Sequence, residues 1–433
     1  MLRLLSASLW GLLLASLLVL AGCAHRQCSC TASGTGTGPA APQGPSVPQP
    51  TATLAERGKI VADLSTLPSY EAVDQALSRP PKPLEYRVLT AGEVQCLAAA
   101  NSPTAKLLVA ESEAVLSGGG GGILHQAAQR AAPMQSKLLC IHAIDERNKS
   151  AGMALELFYS LAEAEANRDL LEKSVAEVDR AAANLEQLKQ SGLKISTDRS
   201  ALDRQKLDWL DRRIQLLSSI RQMQGQLQQL VGVDVDETMP IWPVADLNVA
   251  VEPVDAAAAV TQGLANRADI AALRMLGGNL DADTLPAARM GMAAINPALG
   301  ASAAGQGPFA EAARSAEAAT RQSQAQQALA DLEKSAAREI ADAARKIDAA
   351  LRQVAVSKER WESWKQRVAG LEEKRESDGV TASDLTAARL ELLRAEGDAV
   401  HCIIAWKIAQ VKLKQAQGLL AAECGYSVPG SCR

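Results

Sequence analysis

Two segments of this 433-residue chain carry apolar residues at helical spacing for far longer than a globular helix needs, and each ends at a glycine turn. The first runs from about Gln135 to Gln190, where Leu138, Ile141, Leu155, Phe158, Leu161, Leu170, Val178 and Leu185 recur at spacings of three, four or their sums. About 55 residues at a rise of 1.5 Å make a rod on the order of 80 Å long. Such a rod cannot bury its apolar stripe alone and needs an antiparallel neighbour. Ser191-Gly192 ends the run, and a shorter periodic segment from about Asp198 to Leu230 supplies that neighbour as a coiled-coil hairpin. The plan repeats: a second rod from about Phe309 to Glu376 turns at Ser377-Asp378-Gly379 and returns from about Ser383 to Ala422. Gly192 and Gly379 lie 187 residues apart, which marks an internal duplication.

Composition agrees with long helices in thin layers. Alanine dominates and aromatic residues make up 3% of the chain, a diet that helices tolerate and sheets do not. The expected fold is all-α, with two tandem repeats of long antiparallel helical hairpins. The 45 basic and 49 acidic residues are interspersed, with no basic patch interleaved with aromatics, so nucleic acid is not an expected partner.

The N-terminus carries an address. Arg3, an uncharged apolar run from Leu4 to Leu20 and then Leu20-Ala21-Gly22-Cys23 have the form of a secretory signal with a lipidated cleavage site. Cys23 is therefore the expected lipidation site and membrane lipid an expected partner, residues 1–22 being the signal peptide. More than one acyl chain makes such anchoring stable, since each buried methylene contributes about 0.8 kcal/mol. Ala24 follows the cysteine, and resemblance to bacterial lipoproteins implies sorting to the outer membrane. Residues 23–55 form the lipidated terminus and a Gly/Pro/Ser/Thr-rich tether; 56–240 and 254–424 are the two repeats, 241–253 a linker with Pro243 and Pro253, and 425–433 a tail.

Little in the chain suggests chemistry. Gly118 to Gly122 have neither a following Lys-Ser or Lys-Thr nor a preceding strand, so they read as a turn rather than a phosphate loop. Cys140, His142, His401 and Cys402 lie at matching ends of the two hairpins, yet neither pair shares a helix face, and no metal or other cofactor is expected. Cys424 and Cys432 are placed to close a small terminal loop. No nucleophile, base and acid stand together, and the chain is not expected to be an enzyme. Trp361 and Trp364, three apart, read as a seam with a neighbouring helix.

The duplicated turns have a recognisable form. Ser191-Gly192-Leu193-Lys194-Ile195-Ser196-Thr197-Asp198 and Asp378-Gly379-Val380-Thr381-Ala382-Ser383-Asp384-Leu385 each open a long return helix. Leu97 to Pro103, ending Asn101-Ser102-Pro103, and Asn266-Arg267-Ala268-Asp269-Ile270 stand at the head of the two repeats. In this order the segments resemble the TolC-type outer-membrane efflux family over about Thr90 to Leu420, with Ala268 where the family prefers proline.

The resemblance implies a homotrimer with a periplasmic helical tunnel, a periplasmic adaptor and an inner-membrane pump as partners, and Gly192, Asp198, Gly379 and Asp384 at the adaptor-contacting or tunnel-closing tip. Asn101, Pro103, Arg267 and Asp269 are its family-like repeat positions. From the residues alone, Asp198 and Asp384 also suit the start of a helix, where a carboxylate accepts from free backbone N–H groups. The family's two barrel strands per repeat find no sequence here: Gly118 to Pro133 is glycine followed by a helical pattern, and Asn279 to Pro308 has no β-branched run and no Tyr or Trp. The function expected is a lipoprotein component of a tripartite efflux or secretion system; the alternative is a barrel-less coiled-coil scaffold without channel activity.

Overall fold

The computed structural model describes residues 86–117, 125–191, 199–235, 239–285, 288–289, 310–374 and 381–427, all within the unit Arg79–Arg433. Nine helices and two short strands are labelled among them. Strand β1 (Arg87–Thr90) leads into α1 (Ala91–Asn101) and α2 (Pro103–Ser117), then the long α3 (His125–Gln190) and its return α4 (Arg199–Val231). Strand β2 (Ile241–Val244) joins the repeats. The second repeat is α5 (Ala256–Asn266), α6 (Ala268–Gly278), the long α7 (Ala310–Lys374), its return α8 (Ala382–Ala416) and the short α9 (Leu419–Glu423).

The duplication is visible element by element. In each repeat two short helices precede a rod of 66 or 65 residues, and a return helix of 33 or 35 residues packs back on it. At 1.5 Å per residue each rod is close to 100 Å long. The rods lie in one layer of lateral order α4–α3–α8–α7, each helix packed against the next, so the α3–α8 seam joins the two repeats. Alanine makes the layer possible. Ala151, Ala154, Ala325, Ala336, Ala344 and Ala395 are buried on the rods and α8, where larger side chains would force the axes apart.

Local chemistry sets the boundaries. Thr90 caps α1 and Thr381 caps α8, each in a reciprocal box with the acidic residue three positions on, Glu93 and Asp384. Asp384 is thus the third residue of its helix, answering Thr381, rather than the cap itself. Ser102, extended before Pro103, separates α1 from α2 as the residue before a proline must. Gly232 ends α4 at φ +74°, with Gly232 N–H donating to Gln229 O and Val233 N–H to Gln228 O.

Several expectations need correction. The first rod begins at His125, ten residues before Gln135, and runs through Pro133. A proline inside a helix costs about 3 kcal/mol. It is tolerated because its neighbours Ala131, Met134 and Leu138 are buried in one cluster with Leu273, Leu276 and Leu285. At the head of the second repeat two short helices are separated where Arg267 adopts ψ 126°. The return helix stops at Ala416, and Gly418 at φ +72° redirects the chain into α9.

The 241–253 linker is not wholly irregular either. Ile241–Val244 pairs in parallel with Arg87–Thr90, each residue with one 154 positions away, a contact that no local pattern announces. Gln224 of α4 seals the outer edge of β2, accepting from Ile241 N–H and donating to Ile241 O, both at 2.7 Å.

The first barrel slot is occupied by helix. Only seven residues, 118–124, separate α2 from α3, whereas a single membrane-spanning strand takes about 9–11. Residues 280, 285 and 288 of the second slot sit in the helical cluster around α6. No described helix is long and apolar enough to cross a membrane.

Candidate functional site: the groove where the repeats meet

The α3–α8 seam is laced by ion pairs of one polarity, acid on α3 and base on α8. Glu156 meets Lys412 at 3.2 Å, Glu163 meets His401 at 2.7 Å and Glu177 meets Arg389 at 3.5 Å. Antiparallel packing brings these rungs into register over two long helices. Arg389 also reaches Glu372 of α7 at 2.6 Å, so the rung nearest the hairpin turns ties three helices together. Beside the seam runs a groove of about 940 Å³, bounded by α3, α7 and α8 and by the α5–α6 junction. Ala405 and Ala409 of α8 line it, with Asp145 and Lys149 from α3 and Glu339 and Asp342 from α7. Its charges are largely self-neutralised: Lys149 is held by Asp145 at 2.7 Å and Glu146 at 2.8 Å.

Arg267 closes one end of the groove. Its Nε and Nη2 donate to Asp269 at 3.1 and 2.8 Å, and its Nη1 to Glu339 at 2.6 Å and to Ala416 O at 3.1 Å. Burial opposes the charge, but the hydrogen bonds and charges of Asp269 and Glu339 outweigh it, and the guanidinium stays protonated at any working pH. The corresponding place in the first repeat is held by Asn101, whose Nδ2 donates to Val231 O at 2.7 Å. In both repeats, therefore, the side chain at the break between short helices fastens the last turn of the return helix. In both, a left-handed glycine follows that turn, Gly232 against Asn101 and Gly418 against Asn266 and Arg267.

The fold has counterparts among solved structures. The CmeC outer membrane channel of Campylobacter jejuni superposes with a TM-score of 0.60 at 12% identity, covering 79% of this chain and 87% of that one. The outer-membrane channel OprN gives 0.56 at 14% identity over 80% and 95% of the two chains. The outer membrane protein VceC of Vibrio cholerae gives 0.51 at 15% identity over 76% and 95%. The fold is TolC-like. Among sequences, no family model and no curated protein matches the chain.

On this TolC-like frame the residues singled out in the sequence separate into groups. Arg267 and Asp269 line the groove; Asn101 and Pro103 stand at the matching break of the first repeat, and Asp384 is in the first turn of α8, where it answers the cap Thr381. Cys23, Gly192, Asp198 and Gly379 lie outside the described residues. The cysteine and histidine group is not assembled: Cys140 is disulfide-bonded and His401 Nδ1 is engaged by Glu163. Among the described residues no group of three or more His, Cys, Asp or Glu is placed to hold a metal. Cys424 bonds to Cys96, with Cα atoms 5.2 Å apart, and not to Cys432, because α9 returns the C-terminal end to α1. Trp364 packs with Val368, Leu385 and Ala388, the expected seam, while Trp361 receives the Lys365 ammonium 4.9 Å from its ring centre. Sequence reasoning missed Asn148, whose Nδ2 donates to Gln415 O and whose Oδ1 accepts from Leu420 N–H. A buried asparagine on an otherwise apolar stripe was the available signal.

The middle rung titrates. Its hydrogen bond to Glu163 raises the His401 pKa above the ordinary value, burial opposes this, and the charges of Glu163 and Asp398 add to the rise. Asp398 is itself engaged by Arg360 of α7 at 3.5 Å. A histidine whose folded pKa is raised contributes stability that is fully present below its unfolded pKa, about 6.5. That contribution disappears as pH rises through the folded pKa. The urea midpoint is expected to fall over this window, and Glu163→Gln should flatten the fall and return the ring titration, followed by NMR, toward the ordinary value. An unchanged titration in the variant would show that the rung does not govern His401.

Proposed function

We propose that this chain is a barrel-less, TolC-like coiled-coil scaffold on the periplasmic face of the outer membrane, held there by lipid on Cys23, with no pore of its own. The observation that carries the reading is the seven-residue connection between α2 and α3, where the channel architecture needs a membrane-crossing strand pair. An unclosed strand edge cannot stand in lipid, so the first repeat has nothing to contribute to a barrel wall. The tether and the sequence Leu20-Ala21-Gly22-Cys23 support anchoring by acyl chains.

A second reading, a lipoprotein component of a tripartite efflux or secretion system, is favoured by the likeness to outer-membrane channels over about four-fifths of this chain. The edge helix α4 keeps Leu207 and Ile214 at least half exposed, seven residues apart, on a stripe suited to a neighbouring helix of a second copy. In that reading three copies close the helical layer, the turns meet a periplasmic adaptor and an inner-membrane pump, and another chain crosses the membrane.

Planar-bilayer conductance and sedimentation of the membrane-extracted protein distinguish the two. The scaffold predicts no unitary conductance above the detergent control; stable trimers that conduct would overturn it. Cys23→Ala should release the chain from the membrane fraction, and retention would mean that something other than the lipid holds it.

A further inference from the structure

The last described segment belongs to the second repeat by sequence and to the first by contact. Gly418 turns the chain out of α8, and Leu420 and Ala421 become fully buried. Leu420 packs in one cluster with Ala99, Ala151 and Leu155, all from the first repeat, and with Val411. Gln95 of α1 donates to Leu420 O at 2.9 Å and to Glu423 at 2.8 Å, and Leu420 N–H donates to Asn148 of α3 at 3.1 Å. The Arg147 guanidinium stacks 3.9 Å above the Tyr426 ring centre. Cys424 then closes the only covalent link described between the repeats, to Cys96, 328 residues earlier.

We infer that Leu419–Tyr426 is a redox-dependent strap, closed across the two repeats while Cys96–Cys424 is oxidised and opening locally when that bond is reduced. The noncovalent hold is modest for what it must order. One buried leucine, one buried alanine, three hydrogen bonds to the first repeat, the Lys414–Glu423 pair and a stacked cation work against the conformational freedom of an eight-residue segment. The bond removes most of that freedom by tethering the segment to its seat. The hairpins do not depend on it, since the α3–α8, α3–α4 and α7–α8 seams are continuous without α9. The bond is also reachable, with Cys96 exposed and Cys424 half-buried. Opening is a two-electron exchange. One thiolate of a dithiol attacks a protein sulfur, giving a mixed disulfide and one protein thiolate. The second dithiol sulfur then displaces the other protein thiolate, so the dithiol leaves as a cyclic disulfide and Cys96 and Cys424 as two thiols. A compartment supplied with protein disulfide oxidants drives the exchange the other way and keeps the strap shut.

Hydrogen exchange on the folded, full-length protein tests this with and without dithiothreitol. Amides of Leu419–Tyr426 should exchange at least about tenfold faster after reduction, while peptides from the middle of α3, α7 and α8 keep their rates. Dithiothreitol also reaches the bond at Cys140, so Cys96→Ser/Cys424→Ser without reductant is the second arm and should reproduce the local rise. Should the double variant fail to accumulate, Cys140→Ser compared with and without dithiothreitol decides the matter, because the bond at Cys140 is then absent from both samples. Unchanged exchange in the strap would overturn the inference, and so would a rise spread equally over the long helices. Either result leaves the bilayer measurement, and the scaffold reading that depends on it, untouched.

Discussion

Phe158→Ala is expected to destabilise the protein by about 3–5 kcal/mol, the range for removing a fully buried phenylalanine. Phe158 is 0% exposed at the level of α3 where α1, α4 and the β1–β2 pair converge. Its cluster holds Leu89, Val94, Ala98, Ala154, Leu161, Ile220, Leu227 and Ile241. Two of those neighbours are alanines with only a methyl to offer the vacancy, Leu161 shares α3, and the rest are anchored on four other elements, β1, α1, α4 and β2. The Tyr159 ring, edge-on at 5.3 Å between centroids, also loses its partner. Urea unfolding followed by circular dichroism at 222 nm measures the effect as a lower midpoint at constant slope. A loss under about 1 kcal/mol would mean that the cluster collapses around the deletion, contrary to its composition.

The second large effect is backbone rather than volume. Gly232→Ala forces an L-residue to φ +74° and brings the new methyl to 2.4 Å from Asn101 Cγ and 2.7 Å from its Cβ. The left-handed conformation alone costs roughly 1–2 kcal/mol. Asn101 cannot swing aside freely, because its Nδ2 holds Val231 O and its Oδ1 accepts from Lys106. Losing the Nδ2 bond adds about 1 kcal/mol, and the total expected is about 2–4 kcal/mol. Gly418→Ala is the graded comparison: the same φ strain, with nearest atoms at 3.1–3.3 Å, should cost less. Equal losses at the two glycines would show that the Asn101 contact contributes nothing.

Both substitutions address junctions that the sequence marked without explaining. Asn101-Ser102-Pro103 reads as a helix break because a residue before proline avoids the helical region, and that much is local. That the break would fasten the end of α4, 130 residues away, is not. Arg267 and Asp269 were legible as a motif of the second repeat. Their salt bridge is two residues long, but the partners that make it part of a groove, Glu339 and Ala416, come from α7 and α8. The acid-to-base ladder of the α3–α8 seam was hidden for the same reason. Glu163 and His401 are unremarkable charges on two helix faces until packing places them 2.7 Å apart.

Helical periodicity, alanine content and glycine turns are properties of neighbouring residues, and they sufficed to determine the two rods, their returns and the duplication, because a stripe that long admits only a hairpin. The missing barrel strands in the first repeat were legible in the same way, as a stretch too short and too helical to cross a membrane. The tertiary structure alone decided the α3–α8 seam that joins the hairpins, the parallel β1–β2 pair, the choice of Cys96 as the partner of Cys424 and the strap that this bond closes. Each joins residues more than a hundred positions apart. Their meeting depends on how whole helices stack, and one alanine-rich face offers no local mark to distinguish its partner from another.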